Sequence, residues 1–386
     1  MADKKIILYP VDNGASALLK LDEETHILFD LNQFDEEIRE EKNCWDVHGS
    51  LIEELPNIDG KRRLSVLCVT HADKDHCRGL DKVFYLPEQN KDQEEMIQID
   101  ELWVTSEIFS EDVEDDGEML QKEAKRRLDL ATNAITALQA HEKGNRLMVF
   151  GRRENLPDLN KLPREQRPTA GEIISRVAGD QRDDFEVFVH CPFMVDIGNE
   201  NVSRNDKSLI IQVRIKSDGG IWNEILIGGD TNCSVWGTVY EETQQHQNME
   251  RLSWDIFIIP HHGSYRFFSE ESREVARDNP DERSLAILDK GKEGCWLICS
   301  SRPIKSNNYK DDNPPHIQAI DHYRKTEKEK KGTFVCLMEE PDKDEPKPYV
   351  LRFTDGGPQM REIFRAGVYG IAGAAAKATP RYGRNR

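Results

Sequence analysis

The chain has 386 residues, 37% of them hydrophobic and 32% charged, with a formal net charge of −19. Enough apolar material is present for a core, but so acidic a balance argues against generic nucleic-acid binding, which needs a basic surface. No run of about 18 apolar residues marks a membrane-spanning helix, and the first residues lack the long apolar stretch of a secretory leader. Eight scattered cysteines, several inside apolar runs, read as small buried hydrophobes in a reducing cytoplasm.

In chain order, "KKIILYPV", "SALLKL" and "HILFDL" read as three short strands meandering at the start of a sheet. "RRLSVLCVT" is a largely apolar strand, buried on both faces, and "IDELWVTS" is another. "EMLQKEAKRRLDLATNAITALQAHEK" has helical spacing and strong helix formers. With the polar, proline-containing stretch after it, where "PTAGEIISRVAGD" suggests a short helix, it reads as an insertion or lid over about 108–182. Strands resume with "DFEVFVHCPF", "KSLIIQVRI", "NEILIGGD", "WDIFIIPHH", "SLAILD" and "CWLICS". "PHIQAIDHYRKTEKEKK" reads as a helix, and "GTFVCLME" with "PYVLRFTD" as a closing hairpin. Two blocks of strands, each followed by helical material, predict an α/β fold with two sheets face to face and helices outside. One domain then spans 1–355, and 356–386 is a Gly/Ala-rich, basic tail.

Three strand ends carry metal-competent side chains. After "RRLSVLCVT" come His71, Asp73, Asp75 and His76 within six residues. Two imidazoles and two carboxylates can ligate two divalent ions, whereas a polar loop needs no such set. "ILIGGD" ends in two glycines, which permit close backbone approach, and then Asp230, poised to bridge cations or simply to cap a helix. "DIFIIPHHGS" ends in His261 and His262. Adjacent histidines point in different directions, so one of the pair is expected to face a given ion. No G-x-S-x-G elbow supports a serine nucleophile.

Taken together, "THADKDHCRG" resembles the H-x-H-x-D-H signature of the metallo-β-lactamase fold, with Asp73 in place of the second histidine. With "GGD" and "PHHGS" downstream, it is similar to the hydrolase domain of the competence ComEC-type proteins. "VDNGASALLKLDEETHILFD", "NDKSLIIQV" and "NPPHIQAIDHYRK" extend the resemblance over roughly 5–355, apart from 108–182; the family's membrane channel has no counterpart. The resemblance implies an αββα sandwich with a dinuclear centre. His71 and Asp73 would hold one ion, Asp75 and His76 the second, with Asp230 bridging and His261 or His262 completing the second site. A further upstream ligand is expected from His190, Asn205 or Asp206. Asp30 would orient a ligand from behind. Lys74, Ser208 and Ser264 are candidate substrate contacts, and His316 a leaving-group contact or a helix cap. The ions expected are Zn²⁺ or Mn²⁺, with Mg²⁺ also compatible; the many carboxylates lean the pocket toward Mn²⁺ or Mg²⁺.

The activity implied is metal-dependent hydrolysis of phosphodiesters in DNA or RNA, with Asp75 and His262 at the reacting water and two ions sharing the nucleophilic hydroxide. Lys74, Arg78, Arg266, Arg302 and Lys305 would supply a local basic track, and a partner protein could present the substrate. Small phosphodiesters or cyclic nucleotides suit a chain of charge −19 more readily. A non-catalytic metal-binding sensor is the third expectation.

Overall fold

The structure, a computed structural model, describes residues 3–91, 96–109, 113, 116–133, 135–136, 138–151, 157–193, 205–305 and 311–360. The expected tail 356–386 begins too early, because Gly357–Met360 pairs with Tyr349–Thr354 as an edge strand; residues from 361 and parts of the expected lid lie outside the described residues. Two mixed sheets form the centre. The first runs Gly357–Met360, Tyr349–Thr354, Lys5–Leu8, Ala17–Lys20, His26–Phe29, Lys61–Cys68, Gln98–Thr105, Arg146–Phe150. It is antiparallel as far as His26–Phe29 and parallel beyond. The second runs Thr333–Cys336, Gly291–Cys299, Trp254–Ile258, Trp222–Ile227, Ile210–Lys216, Phe185–Cys191, Ile173–Ile174. Its first four strands are parallel.

The sheets meet through side chains of one face each. Ile6, Leu19, Ile27, Val66 and Trp103 of the first pack with Val187, Val213, Ile225, Ile256 and Ile298 of the second. The outer face of the first sheet (Ile7, Leu18, Leu28, Leu102) is covered by Val47 and Leu51 and by Leu120, Ala124 and Leu128 from helices. The outer face of the second (Leu226, Phe257, Leu297) is covered by Trp236, Ile287, Ile320 and Tyr323. Alternation along the strands thus feeds three apolar layers, and the order helix, sheet, sheet, helix is consistent with the expected sandwich.

Several local expectations change. The segment 108–182 is in part integral to the first sheet: helix Asp116–Thr132 leads to Arg146–Phe150, which pairs in parallel with Gln98–Thr105. A parallel neighbour needs such a crossover. The helix stops at Thr132, short of the predicted extent. "PTAGEIISRVAGD" forms short strand pieces at Ile173–Ile174 and Arg176–Val177. "SLAILD" lies in a helix, Glu282–Asp289, because Asp281 caps it by accepting from the amides of Arg283 and Ser284. The closing "hairpin" is not one: Thr333–Cys336 belongs to the second sheet and Tyr349–Thr354 to the first.

Candidate metal centre

His71, Asp73, Asp75, His76, Asp230, His261 and His262 gather where the parallel strands of both sheets end. His26–Phe29 and Lys61–Cys68 run parallel in one sheet, and Trp222–Ile227, Trp254–Ile258 and Gly291–Cys299 in the other. Their C-terminal ends deliver Asp30, the 71–76 loop, Asp230, His261–His262 and Ser300 to one rim. Ligands collect at such carboxyl ends because side chains leaving several strands converge there.

Four donors lie closest. Asp75, His76, Asp230 and His262 each offer one ligand atom within 4.8 Å of the others. His76 Nε2 is 3.2 Å from Asp230 Oδ1, and His262 Nε2 is 3.0 Å from Asp75 Oδ2 and 3.5 Å from Asp230 Oδ2. Three of the four are buried, while the Asp75 side chain is 29% exposed at the mouth. Two imidazoles and two carboxylates so placed fit a divalent cation. His71 packs against His76 with ring centroids 4.0 Å apart and planes tilted by 50°. Its Nε2, buried without a hydrogen bond, faces Asp73 Oδ2 across 3.8 Å. His261 Nε2 lies 3.8 Å from Asp230 Oδ2.

The backbone is bent to reach this arrangement. His261 and His262 both adopt left-handed conformations (φ 49° and 53°), followed by Gly263 at φ 79°. For a residue with a Cβ that costs on the order of 1–2 kcal/mol, and strain of this kind persists where surrounding structure enforces it. The two rings end up nearly perpendicular, 6.3 Å apart, so His262 joins the four-donor group and His261 stands beside it. The glycines before Asp230 serve close packing of the protein itself. A Cβ at Gly228 would lie 2.0 Å from the Trp236 ring, and one at Gly229 (φ 50°) would lie 2.8 Å from Ser208 Cβ and 3.3 Å from Thr70 Oγ1.

Behind the donors, His76 Nδ1 donates to Asp30 Oδ2 at 2.8 Å and His262 Nδ1 to the Ser300 carbonyl at 2.8 Å. Each bond leaves Nε2 turned toward the cluster, the arrangement typical of ligating histidines. Thr70, whose hydroxyl donates to Asp30 Oδ2 at 2.8 Å, and Ser300 are the participants the sequence did not reveal. Thr70 announces itself only as a polar residue at the end of the strand beside the one that ends in Asp30; Ser300 acts through its carbonyl, which side-chain chemistry cannot flag.

Electrostatics set the demand for cations. Burial opposes charge on His76, but Asp230, Asp30 and Asp75 outweigh it and hold its pKa well above the usual value. His262 is likewise pushed up to about 10, its burial overcome by Asp230 and Asp75. In return, and against their own burial, Asp75 and Asp230 are held below the ordinary carboxylate range by His76 and His262. Protons supply the positive charge in the metal-free cluster, and a divalent ion would displace them on binding. His71 and His261 are shifted down, chiefly by burial, and so are neutral imidazoles ready to ligate.

The upstream candidates do not join this group. His190 sits inside the second sheet's strand Phe185–Cys191, its Nε2 donating to the Arg251 carbonyl at 2.9 Å and its ring against Phe188. It is buried within that strand and lies outside the four-donor group. Asp206 Oδ1 accepts from the Asn232 amide at 3.3 Å, and Asn205 opens the same short turn; neither belongs to the four-donor set. His316 occupies the N-cap position of the helix Ile317–Lys330, but its side chain makes no capping bond. Its Nδ1 accepts from the Tyr265 amide at 3.2 Å, and its buried Nε2 has no hydrogen-bond partner. Ser264 Oγ accepts from the Arg266 amide within its own turn, Ser208 Oγ is buried without a partner beside Gly229, and Lys74 is exposed.

No family model and no curated protein matches the sequence. Among the described residues no helix is long and apolar enough to cross a membrane, and all eight cysteines are free and buried.

Proposed function

We propose that the chain is a metal-dependent phosphodiester hydrolase of the metallo-β-lactamase type, with a dinuclear centre. Asp75, His76 and His262 would hold one ion, His71 and Asp73 the other, and Asp230 would lie between them. The observation that supports this reading is the meeting of Asp75 and His76 with Asp230 and His262, from distant segments, inside 4.8 Å. Two divalent ions held there supply a nucleophile from water near neutral pH and neutralise charge on the phosphoryl oxygens. Asp75, the most open of the four donors, would orient the attacking water, and His262, whose Nε2 lies 3.0 Å from Asp75 Oδ2, would hold the ion beside it.

Cations for the substrate are few. Arg302 is engaged by Asp311 at 2.6 Å, and Arg78 lies over the Phe34 ring at 4.1 Å. Lys74 and Arg266 are exposed side chains near the predicted ligands, the Arg266 guanidinium lying 5.8 Å from the Tyr265 ring centre. So short a basic track on a chain of charge −19 favours either a nucleic-acid strand presented by a partner protein or, as second reading, small phosphodiesters. The test is metal analysis with a substrate panel. Protein purified in Mn²⁺ or Zn²⁺ is expected to retain about two ions per chain and to cleave single-stranded DNA, RNA or a small aryl phosphodiester. Absence of bound ions after metal-replete purification would refute the centre. Bound ions without cleavage of any diester would leave a metal sensor.

A further inference from the structure

We infer that Thr70 is the positioning residue for two metal-facing histidines at once: it fixes the tautomer of His71 directly and, through Asp30, the ring orientation of His76. The inference rests on the metal-centre reading above for its purpose, but not for its geometry. Thr70 is wholly buried and pinned by both sheets: its amide donates to Asp30 Oδ1 at 2.7 Å, and its carbonyl accepts from the Leu209 amide at 2.9 Å. Its hydroxyl touches three polar atoms, Asp30 Oδ2 at 2.8 Å, His71 Nδ1 at 3.2 Å and His76 Nδ1 at 3.3 Å.

A hydroxyl has one proton, and a carboxylate only accepts. The Thr70 proton therefore goes to Asp30 Oδ2. The contact with His71 can then be a hydrogen bond only if His71 carries its proton on Nδ1 and donates it to the Thr70 oxygen. His76 Nδ1 already donates to the same Asp30 oxygen at 2.8 Å. Proton accounting thus turns the lone pair of His71 Nε2 outward, in line with that atom's having no hydrogen-bond partner in the protein. Gly229 keeps the arrangement compact, since a Cβ there would press to 3.3 Å of the Thr70 hydroxyl. One threonine and one aspartate so preset the tautomer of His71 and the orientation of the His76 ring before any ion arrives. Such outer partners are worth about 10–100-fold in metal affinity.

The experiment compares the parent with Thr70→Val, which keeps the shape and loses the hydroxyl, and with Thr70→Ser, which keeps the hydroxyl. In metal-free, ¹⁵N-histidine-labelled protein at pH 8, long-range ¹H–¹⁵N spectra are expected to show His71 as the Nδ1–H tautomer in the parent and Thr70→Ser, and as Nε2–H or a mixture in Thr70→Val. Zn²⁺ titration should show affinity weakened about 10–100-fold in Thr70→Val and restored in Thr70→Ser. An Nε2–H tautomer of His71 in the parent, or unchanged tautomer and affinity in folded Thr70→Val, overturns the inference. If the parent binds no metal, the proposed function fails by itself, and the spectra of the metal-free proteins still decide the role of Thr70.

Discussion

At the scale of single residues, the centre balances charge rather than merely collecting it. Asp75 and Asp230 share two protonated imidazoles when no metal is bound, so removing one carboxylate changes both charge and ligand count. Asp75→Asn is expected to lower metal-dependent hydrolysis by at least about 10²–10³-fold and to leave the far-ultraviolet spectrum unchanged, because its side chain is partly exposed. Activity within threefold of the parent would remove Asp75 from the reaction. The same scale shows what the sequence could reveal. Acid and imidazole groups at strand ends were legible because solvating them there has no structural purpose. The fate of His190 was not. It too is a histidine near a strand end, but it lies within the strand, and only the pairing of Phe185–Cys191 with its neighbours turns it toward Arg251 and away from the rim.

At the scale of elements, the strand ends and their glycines carry the design. Gly228 admits the Trp236 ring so closely that Gly228→Ala forces the helix Cys233–Gln245 to shift. Overpacking of this kind costs about 1–3 kcal/mol. Chemical denaturation should show that loss, along with weaker metal binding because Asp230 follows two residues later. A stability equal to the parent's would mean that the helix yields freely. Most strands were readable from their apolar runs. Partnering was not, because hydrophobic alternation says that a strand is half-buried without saying in which sheet. Thr333–Cys336 and Tyr349–Thr354 looked like a hairpin by adjacency alone. The helix Glu282–Asp289 was hidden by "SLAILD", a short apolar run whose true signal was the capping Asp281 before it.

At the scale of the whole molecule, acid should weaken the fold through buried neutral histidines. Burial foremost holds His190 at about 4 in the folded state, whereas an unfolded histidine titrates near 6.5. Between those values the unfolded chain binds the extra proton, so this contribution leaves stability unaffected above about pH 6.5 and lowers it as pH falls toward 4, by on the order of 3 kcal/mol in all. His26, also near 4, adds in the same direction. His262, raised to about 10, works oppositely in the metal-free protein: its contribution is complete below about 6.5 and is lost as pH rises through 10. Melting temperatures of the parent and His190→Gln at pH 7.5 and 4.5 isolate the first effect. The variant should lose less over that interval, and equal losses would refute the assignment. Added metal ion should stabilise the parent by about 2.7 kcal/mol at a free concentration a hundredfold above its Kd, and not the Asp75→Asn variant to the same degree.

Of the four clustered donors, Asp75 and His76 follow a strand of one sheet, and Asp230 and His262 follow strands of the other. An ion among them would be a rivet through the seam of the molecule. Chelation would unfasten that seam at its rim first, so amide exchange at 70–76 and 228–232 should quicken together while the far ends of the same strands stay protected. Occupancy could then be followed from the backbone without any substrate at all.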